Sequence, residues 1–482
     1  EAYYRIQNLN ADYVSGAIPT PAPTCPPTVI TGRGTTAFEQ PVEEPAAPQA
    51  EDLGPLTEIY DDVDALRAFV ANSPEGEWAR RARRRINELR LEQRNVGIGY
   101  LRSRINAIQG DTLVIDKPAQ VYKEITAMLD NRRLALEDLL NAIATDHNFL
   151  HAWTVSQLVR NGYIELDTLT NLGIDRRFVW ALSDDKRTED IRAGRDIDRI
   201  NKVSTEVYFW GIPSSGKSCA LGAIMSMAAS GTIARVMEKD NDCQGYGYMT
   251  RLAGLFRTDG TVGTLPPSTP VTATYEMAFD LYDDRGRVHP ITCIDLAGEL
   301  VRCMYKNDAG EALSEDEVKA LDTVTRILSD NRSRNRKMHF FVLEYGGEER
   351  VYEGLRQADY LNGALQYIRR TNIFRKDTDA IFIIVTKVDK TGMVGAQLVQ
   401  ELRNYIDTNY RGFYNGLQQI CRENEINGGV IERIPFTLGE VCFQSYCLFN
   451  PRPASKIVEI ILNRAGGFRT GKKGFFERLF KG

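Results

Sequence analysis

"FWGIPSSGKSCALG", residues 209–222, joins an apolar run to a series of small apolar residues through a turn of glycine, proline and serine that closes on Gly-Lys-Ser. The preceding "TEVYFW" (205–210) reads as a buried strand, and the small residues that follow read as a helix. Between them, residues 211–218 match GxxxxGK[ST] in full and in the strand-to-helix context that pattern requires. Each residue type has a physical task. Gly211 and Gly216 let the backbone curl so that successive N–H groups, through Ser214, Ser215, Gly216, Lys217, Ser218 and Cys219, point at one spot, where the positive end of the helix points too. Lys217 is expected to bridge the β- and γ-phosphates of a nucleoside triphosphate as a point charge, and the Ser218 hydroxyl to ligate Mg²⁺.

Asp295 closes a second apolar strand in "IDLAGE" (294–299), with Gly298 three residues on. A carboxylate so placed binds Mg²⁺, usually through a water, and the Gly298 N–H reaches the γ-phosphate and senses its presence. Further along, "IIVTKVD" (383–389) ends a third buried strand on Thr386, Lys387, Val388 and Asp389. A carboxylate there accepts two hydrogen bonds from the N1–H and N2–H₂ of guanine. Adenine offers no such pair, and misplaced donors cost heavily in a buried site. Asp389 is therefore expected to set base choice, which makes GTP and GDP the ligands, with Thr386 and Lys387 in the same loop.

In this order and on strands of this kind, GIPSSGKS, DLAGE and TKVD resemble the P-loop GTPases of the translation-factor and Ras-like (TRAFAC) class, over roughly 205–467. The layout is also similar to bacterial GTPase domains fused to helical adaptor modules. The resemblance implies an α/β fold with a P-loop GTPase-like, mostly parallel sheet flanked by helices, and a cytoplasmic, slowly hydrolysing molecular switch. It also implies a first-switch threonine that completes the Mg²⁺ shell; "TLPPSTPVTATYEM" offers Thr269, with Thr272 as the alternative. Where the family usually has Ser-Ala-Lys, the chain has "PFTLGEV", so base contact there would come from the backbone around Thr437 and Leu438. Three residues depart from the family. Thr386 stands in place of the common Asn, and its hydroxyl can still brace the phosphate loop. Pro213 removes an N–H and crowds the approach of a partner's arginine. Glu299 replaces the water-orienting Gln and puts a negative charge beside the γ-phosphate. Lys217, Thr269 and Glu299 are the expected catalytic set. Two other readings remain: a GTP-binding scaffold with negligible hydrolysis, and an ATPase in which TKVD is a coincidence of strand and turn.

The rest of the 482 residues divides around this segment. Residues 1–52 are rich in Pro, Thr and Ala without apolar period and read as a disordered tether, apart from "EAYYRIQNL", which reads as a docking peptide or a frayed end. From 53 to 200 the period becomes helical. Val63, Leu66, Phe69 and Val70 mark one face, and Trp78, Ala82, Ile86 and Leu89 mark the next beyond "NSPEGE". Later segments stop on Gly162 and Gly173. This reads as a small all-α adaptor that meets a protein partner together with the switch loops. The nucleotide-binding segment spans 201–467, with insertions at 232–268, 300–337 and 391–430.

Charged residues make up 26% of the chain and its formal charge is −5, which gives no global attraction to nucleic acid. "ARRARRR" (79–85) reads as a solvated helix face and "NRSRNRK" as a solvated turn, whose Arg332, Arg334, Arg336 and Lys337 are the alternative phosphate contacts. His147 and His151 share a helix face but lack the acidic neighbour of a zinc helix. Eight scattered cysteines, without metal or redox spacing, suit buried thiols. The basic amphipathic tail (468–482) packs back on the domain, fills a partner groove or touches an anionic membrane peripherally.

Overall fold

The computed structural model describes residues 54–60, 62–94, 97–111, 114–184, 197, 199–200, 202–266, 274–329, 335–352, 354–375 and 377–466. The tether, the tail, Thr269, Thr272, Arg332 and Arg334 lie outside the described residues. The chain falls into two compact units that divide after Leu89. In the first, helix α1 (Val63–Asn72) and the part of α2 (Glu77–Arg94) before the division follow the apolar spacing. Leu56, Leu66, Ala82 and Ile86 form its core, with Phe69, Val70 and Trp78 packed around it. Arg80, Arg81, Arg83 and Arg84 are exposed. Arg81 pairs with Glu77 at 2.9 Å and lies over the Trp78 ring, so part of the basic run is spent within its own helix.

The second unit begins with six helices: α3 (Gly97–Gly110), α4 (Lys117–Asp130), α5 (Leu136–Thr145), α6 (Ala152–Arg160), α7 (Leu166–Asn171) and α8 (Arg176–Ala181). They bury Leu101, Ile125, Leu139, Val155, Leu158 and Phe178 against one another. Gly162 and Gly173, just past α6 and α7, have φ of 75° and 86°, the left-handed closure their spacing predicts.

A seven-stranded, mostly parallel sheet flanked by helices follows, in the order β10-β9-β6-β1-β5-β4-β2. Its strands are β1 (Thr205–Trp210), β2 (Val236–Lys239), β4 (Tyr275–Tyr282), β5 (Val288–Asp295), β6 (Arg336–Glu344), β9 (Thr378–Thr386) and β10 (Glu432–Pro435). The neighbouring pairs from β10 to β5 are parallel, while β4 and β2 add antiparallel edges. Strict alternation divides the core: Val207, Phe209, Phe340 and Val342 face one layer, and Tyr208, Trp210, Phe341 and Leu343 the other. The first layer carries α9 (Lys217–Ala229), α10 (Tyr246–Leu255) and α16 (Pro451–Ala465). The second carries α11 (Glu299–Ala309), α12 (Glu315–Ser329), α13 (Gln357–Thr371), α14 (Gly395–Asn409) and α15 (Arg411–Glu423). A short hairpin, β7 (Val351–Tyr352) and β8 (Leu355–Arg356), precedes α13.

One small sheet has no counterpart in the sequence reading. Strand β12 (Tyr446–Phe449) pairs with β11 (Gly439–Cys442) on one side and with β3 (Val262–Thr264), from the 232–268 insertion, on the other. The turn between β11 and β12 enters the helical cluster, where Phe443 is fully buried. Phe443 N–H donates to the His147 carbonyl and Ala152 N–H donates to the Phe443 carbonyl, both at 2.8 Å. Here the two histidines find structural work. His151 Nδ1 caps α6 by accepting from Trp153 N–H at 3.1 Å, and its Nε2 lies 3.0 Å from Ser445 Oγ. Cys442 and Cys447 are buried free thiols of this sheet.

Candidate functional site

The sheet order reverses direction at β1. On one side the chain lays down the edge strand β2 and works inward through β4 to β5 beside β1, and on the other it adds β6, β9 and β10 outward. In open α/β sheets the crevice beyond the carboxyl ends of such strands is where ligands bind. The loops after β1, β5 and β9 all leave from that end, and they are the loops that hold GIPSSGKS, DLAGE and TKVD.

Backbone geometry in the first loop follows from its composition. Gly216, the N-cap of α9, has φ of 85°, and an added Cβ would lie 3.2 Å from Thr386 Oγ1. At Gly211 a Cβ would come within 2.8 Å of the Val342 carbonyl oxygen. Ser214 also adopts a left-handed φ of 64°, and it is exposed. The curl hands the loop's N–H groups to the start of a 13-residue helix, a combination that attracts oxyanions.

Around this turn the chain brings most of the expected residues together. Lys217 Nζ is buried, donates to the Leu296 carbonyl and lies 3.2 Å from Asp295 Oδ1. Asp295 is completely buried, and its Oδ2 accepts from Tyr248 OH at 2.8 Å. Its Oδ1 accepts no hydrogen bond, and neither does the buried Ser215 Oγ. Gly298 touches the first loop so closely that a Cβ would sit 2.7 Å from Pro213 N and 2.9 Å from Pro213 Cα. Glu299, half-buried, opens α11. The Thr386 hydroxyl lies 2.6 Å from the Ser215 carbonyl and 3.1 Å from the Leu343 carbonyl, tying the third loop to the first.

Asp389 is exposed, and its Oδ1 accepts from Thr437 Oγ1 at 2.7 Å. Thr437 is thus joined to Asp389 through its side chain, a link that reading it as a backbone contact missed. The Leu438 carbonyl is taken by Asn450 N–H at 2.6 Å. Lys387, in a left-handed turn with φ of 57°, sends its Nζ to Glu344 Oε1 at 2.8 Å. Burial pushes the Glu344 carboxyl upward, yet Lys387 and Arg350 beside it outweigh burial and hold it below the ordinary range. Desolvation pushes the Cys219 thiol up to about 11, which leaves it a neutral group at physiological pH.

Two of the alternative phosphate contacts lie elsewhere. Arg336 and Lys337 start β6, opposite Thr205 and Glu206, at the end of the sheet away from the loop. Arg336 donates to the Arg464 carbonyl at 2.9 Å. Lys337 is buried rather than solvated, with Asp377 at 2.7 Å and Glu206 at 3.4 Å. Sequence reasoning passed over Tyr248 and Glu344. Tyr248 belongs to a helix with no motif, and only its place in the 232–268 insertion could have drawn notice.

The oxygen donors at hand, the Ser218 hydroxyl and the Asp295 carboxylate, are the sparse hard set that Mg²⁺ accepts alongside phosphate oxygens. Among the described residues no group of three or more His, Cys, Asp or Glu clusters as a metal site, and no helix is long and apolar enough to cross a membrane. A scan against protein-family models finds no match, and a search of the curated proteins finds no similar sequence.

Proposed function

We propose that the chain is a P-loop GTPase of the TRAFAC kind: a Mg²⁺-dependent GTP-binding protein that hydrolyses GTP to GDP and phosphate and uses its helical module to report which nucleotide it holds. The observation that carries this reading is the Thr386 hydroxyl on the Ser215 carbonyl. It joins the loop ending in an exposed Asp389 to the glycine-rich turn after β1, so that both loops open at the same end of the sheet. In the reaction, water forms a new bond to the γ-phosphorus as the bond to the β–γ bridging oxygen breaks. Lys217 and the loop N–H groups stabilise the developing negative charge, and Glu299 or a partner orients the water. Mg²⁺, held by Ser218 and Asp295, would neutralise charge on the β- and γ-oxygens. Asp389 reads the guanine edge, with Thr437 fixing its rotamer.

The reading is tested by competition of GTP, ATP and XTP for the full chain and for Asp389→Asn in the presence of Mg²⁺. GTP should win on the intact protein, and the variant should shift toward XTP, whose carbonyl meets the new amide. Equal binding of ATP, unchanged by the substitution, would replace the GTPase with an ATPase. A GTP-binding scaffold with negligible hydrolysis is favoured by one further observation: Pro213, which has no N–H to offer a phosphate, is held in close contact with Gly298. Single-turnover hydrolysis separates scaffold from switch.

A further inference from the structure

The 232–268 insertion sends one side chain into the site. Tyr248, on α10, is buried, and its ring stacks on Tyr275 at 4.0 Å and 20°. Tyr275 is the register partner of Asp295 across β4 and β5. The stack therefore carries the Tyr248 hydroxyl onto the carboxylate, where it donates to Oδ2 at 2.8 Å.

Helix α10 is itself pinned to β4. Gly245 N–H donates to the Glu276 carbonyl at 2.7 Å, an approach that a Cβ on Gly245 would close to 2.6 Å from that oxygen. The Gln244 side chain donates to the Thr274 carbonyl at 3.1 Å and accepts from Glu276 N–H at 2.9 Å. On its other side α10 packs against α9, where Phe256 and Leu252 cover Gly222. The hydroxyl is thus held by rigid elements. Asp295 Oδ1, fully buried and accepting no hydrogen bond, has the Lys217 ammonium beside it at 3.2 Å and is the oxygen free to turn to a metal.

We propose that Tyr248 is a positioning residue for the metal: it anchors one oxygen of Asp295 so that the other is presented to Mg²⁺, and it thereby makes metal affinity depend on where the insertion helix sits. This rests on the GTPase reading above. A donor that orients a metal-ligating group changes metal affinity about 10- to 100-fold when removed, and Tyr248→Phe removes only the hydroxyl and keeps the stack.

The experiment uses the full chain and a fluorescent GDP analogue, with free Mg²⁺ titrated by a metal buffer. In Tyr248→Phe the Mg²⁺ midpoint for nucleotide retention should rise about tenfold. Affinity in EDTA should stay as in the unmodified chain, and the unfolding midpoint of the nucleotide-free protein should fall only as far as the loss of one buried hydrogen bond requires. In an Asp295→Asn background the same substitution should produce no further shift, as a direct pairwise coupling demands. A midpoint in Tyr248→Phe that is unchanged or lower overturns the proposal, as does an equal shift in the Asp295→Asn background. Failure of the unmodified chain to bind guanine nucleotide at all would instead overturn the reading on which it rests.

Discussion

The two ends of the central sheet each bury a lysine beside carboxylates, and they treat it differently. At the start of the strands Lys337 has Asp377 at 2.7 Å and Glu206 at 3.4 Å. Both Glu206 oxygens have further donors: Asn335 Nδ2 at 2.8 Å on Oε1 and Tyr208 OH at 2.7 Å on Oε2. At the other end Lys217 lies 3.2 Å from Asp295, whose Oδ1 accepts no hydrogen bond, close to an unpartnered Ser215 hydroxyl. Buried polar groups are normally satisfied, so the first cluster is complete as it stands and the second is short of partners. One lysine completes a buried cluster; the other stands beside atoms without hydrogen-bond partners, as the proposed nucleotide site requires.

Breaking the complete cluster should have the largest effect on folding. Lys337→Met strands the buried Glu206 carboxylate and the partly buried Asp377, and denaturant unfolding should show a loss of about 3–5 kcal/mol. Mg²⁺-GTP should still raise the unfolding midpoint of this variant. Lys217→Met should reverse that pattern: GTP affinity falls about 10²-fold, as expected for a loss of about 3 kcal/mol in charge-assisted hydrogen bonds, and the nucleotide-induced rise in midpoint disappears. If Lys337→Met abolishes that rise while Lys217→Met keeps it, the contrast between the two ends is wrong.

Smaller changes sharpen the comparison. Gly298→Ala forces its Cβ against the Pro213 backbone, and the adjustment should destabilise the chain by about 1–3 kcal/mol and weaken nucleotide binding, both measurable on one preparation. Thr386→Val deprives the Ser215 and Leu343 carbonyls of their donor at a cost of about 1–2 kcal/mol, with a faster nucleotide off-rate as the site-specific sign. The smallest effect concerns acid stability. Glu344 has a folded pKa below its unfolded value of about 4.3, so its ion pairs stabilise fully above that value and the contribution is lost as pH falls through the folded pKa. Unfolding free energy followed from pH 6 downward should therefore fall less steeply, below about pH 4.3, in Glu344→Gln than in the unmodified chain.

How much of this was legible varied with the distance between the interacting residues. The phosphate-loop turn and the glycine stops at 162 and 173 depend on neighbours within a few residues, and they stand where the pattern put them. The small β11-β12-β3 sheet joins Thr264 to Tyr446, and no local period announces such a pairing. Lys337 belonged to a basic run that read as solvated, because the sequence does not show that Asp377 and Glu206 meet it in the interior. Thr437 looked like a backbone contact, because its distance from Asp389 is set by the packing of β9 beside β10.

By itself, then, the sequence determined the strand–turn–helix at 205–229, the alternating core of the sheet and the set of motifs, since steric limits on glycine and the periods of strand and helix act over a few residues. Only the tertiary structure decided which atoms lack partners. Whether a buried carboxylate is satisfied depends on donors drawn from Tyr248, 47 residues from Asp295 in the chain, and burial and hydrogen bonding are properties of the packed chain rather than of any segment of it.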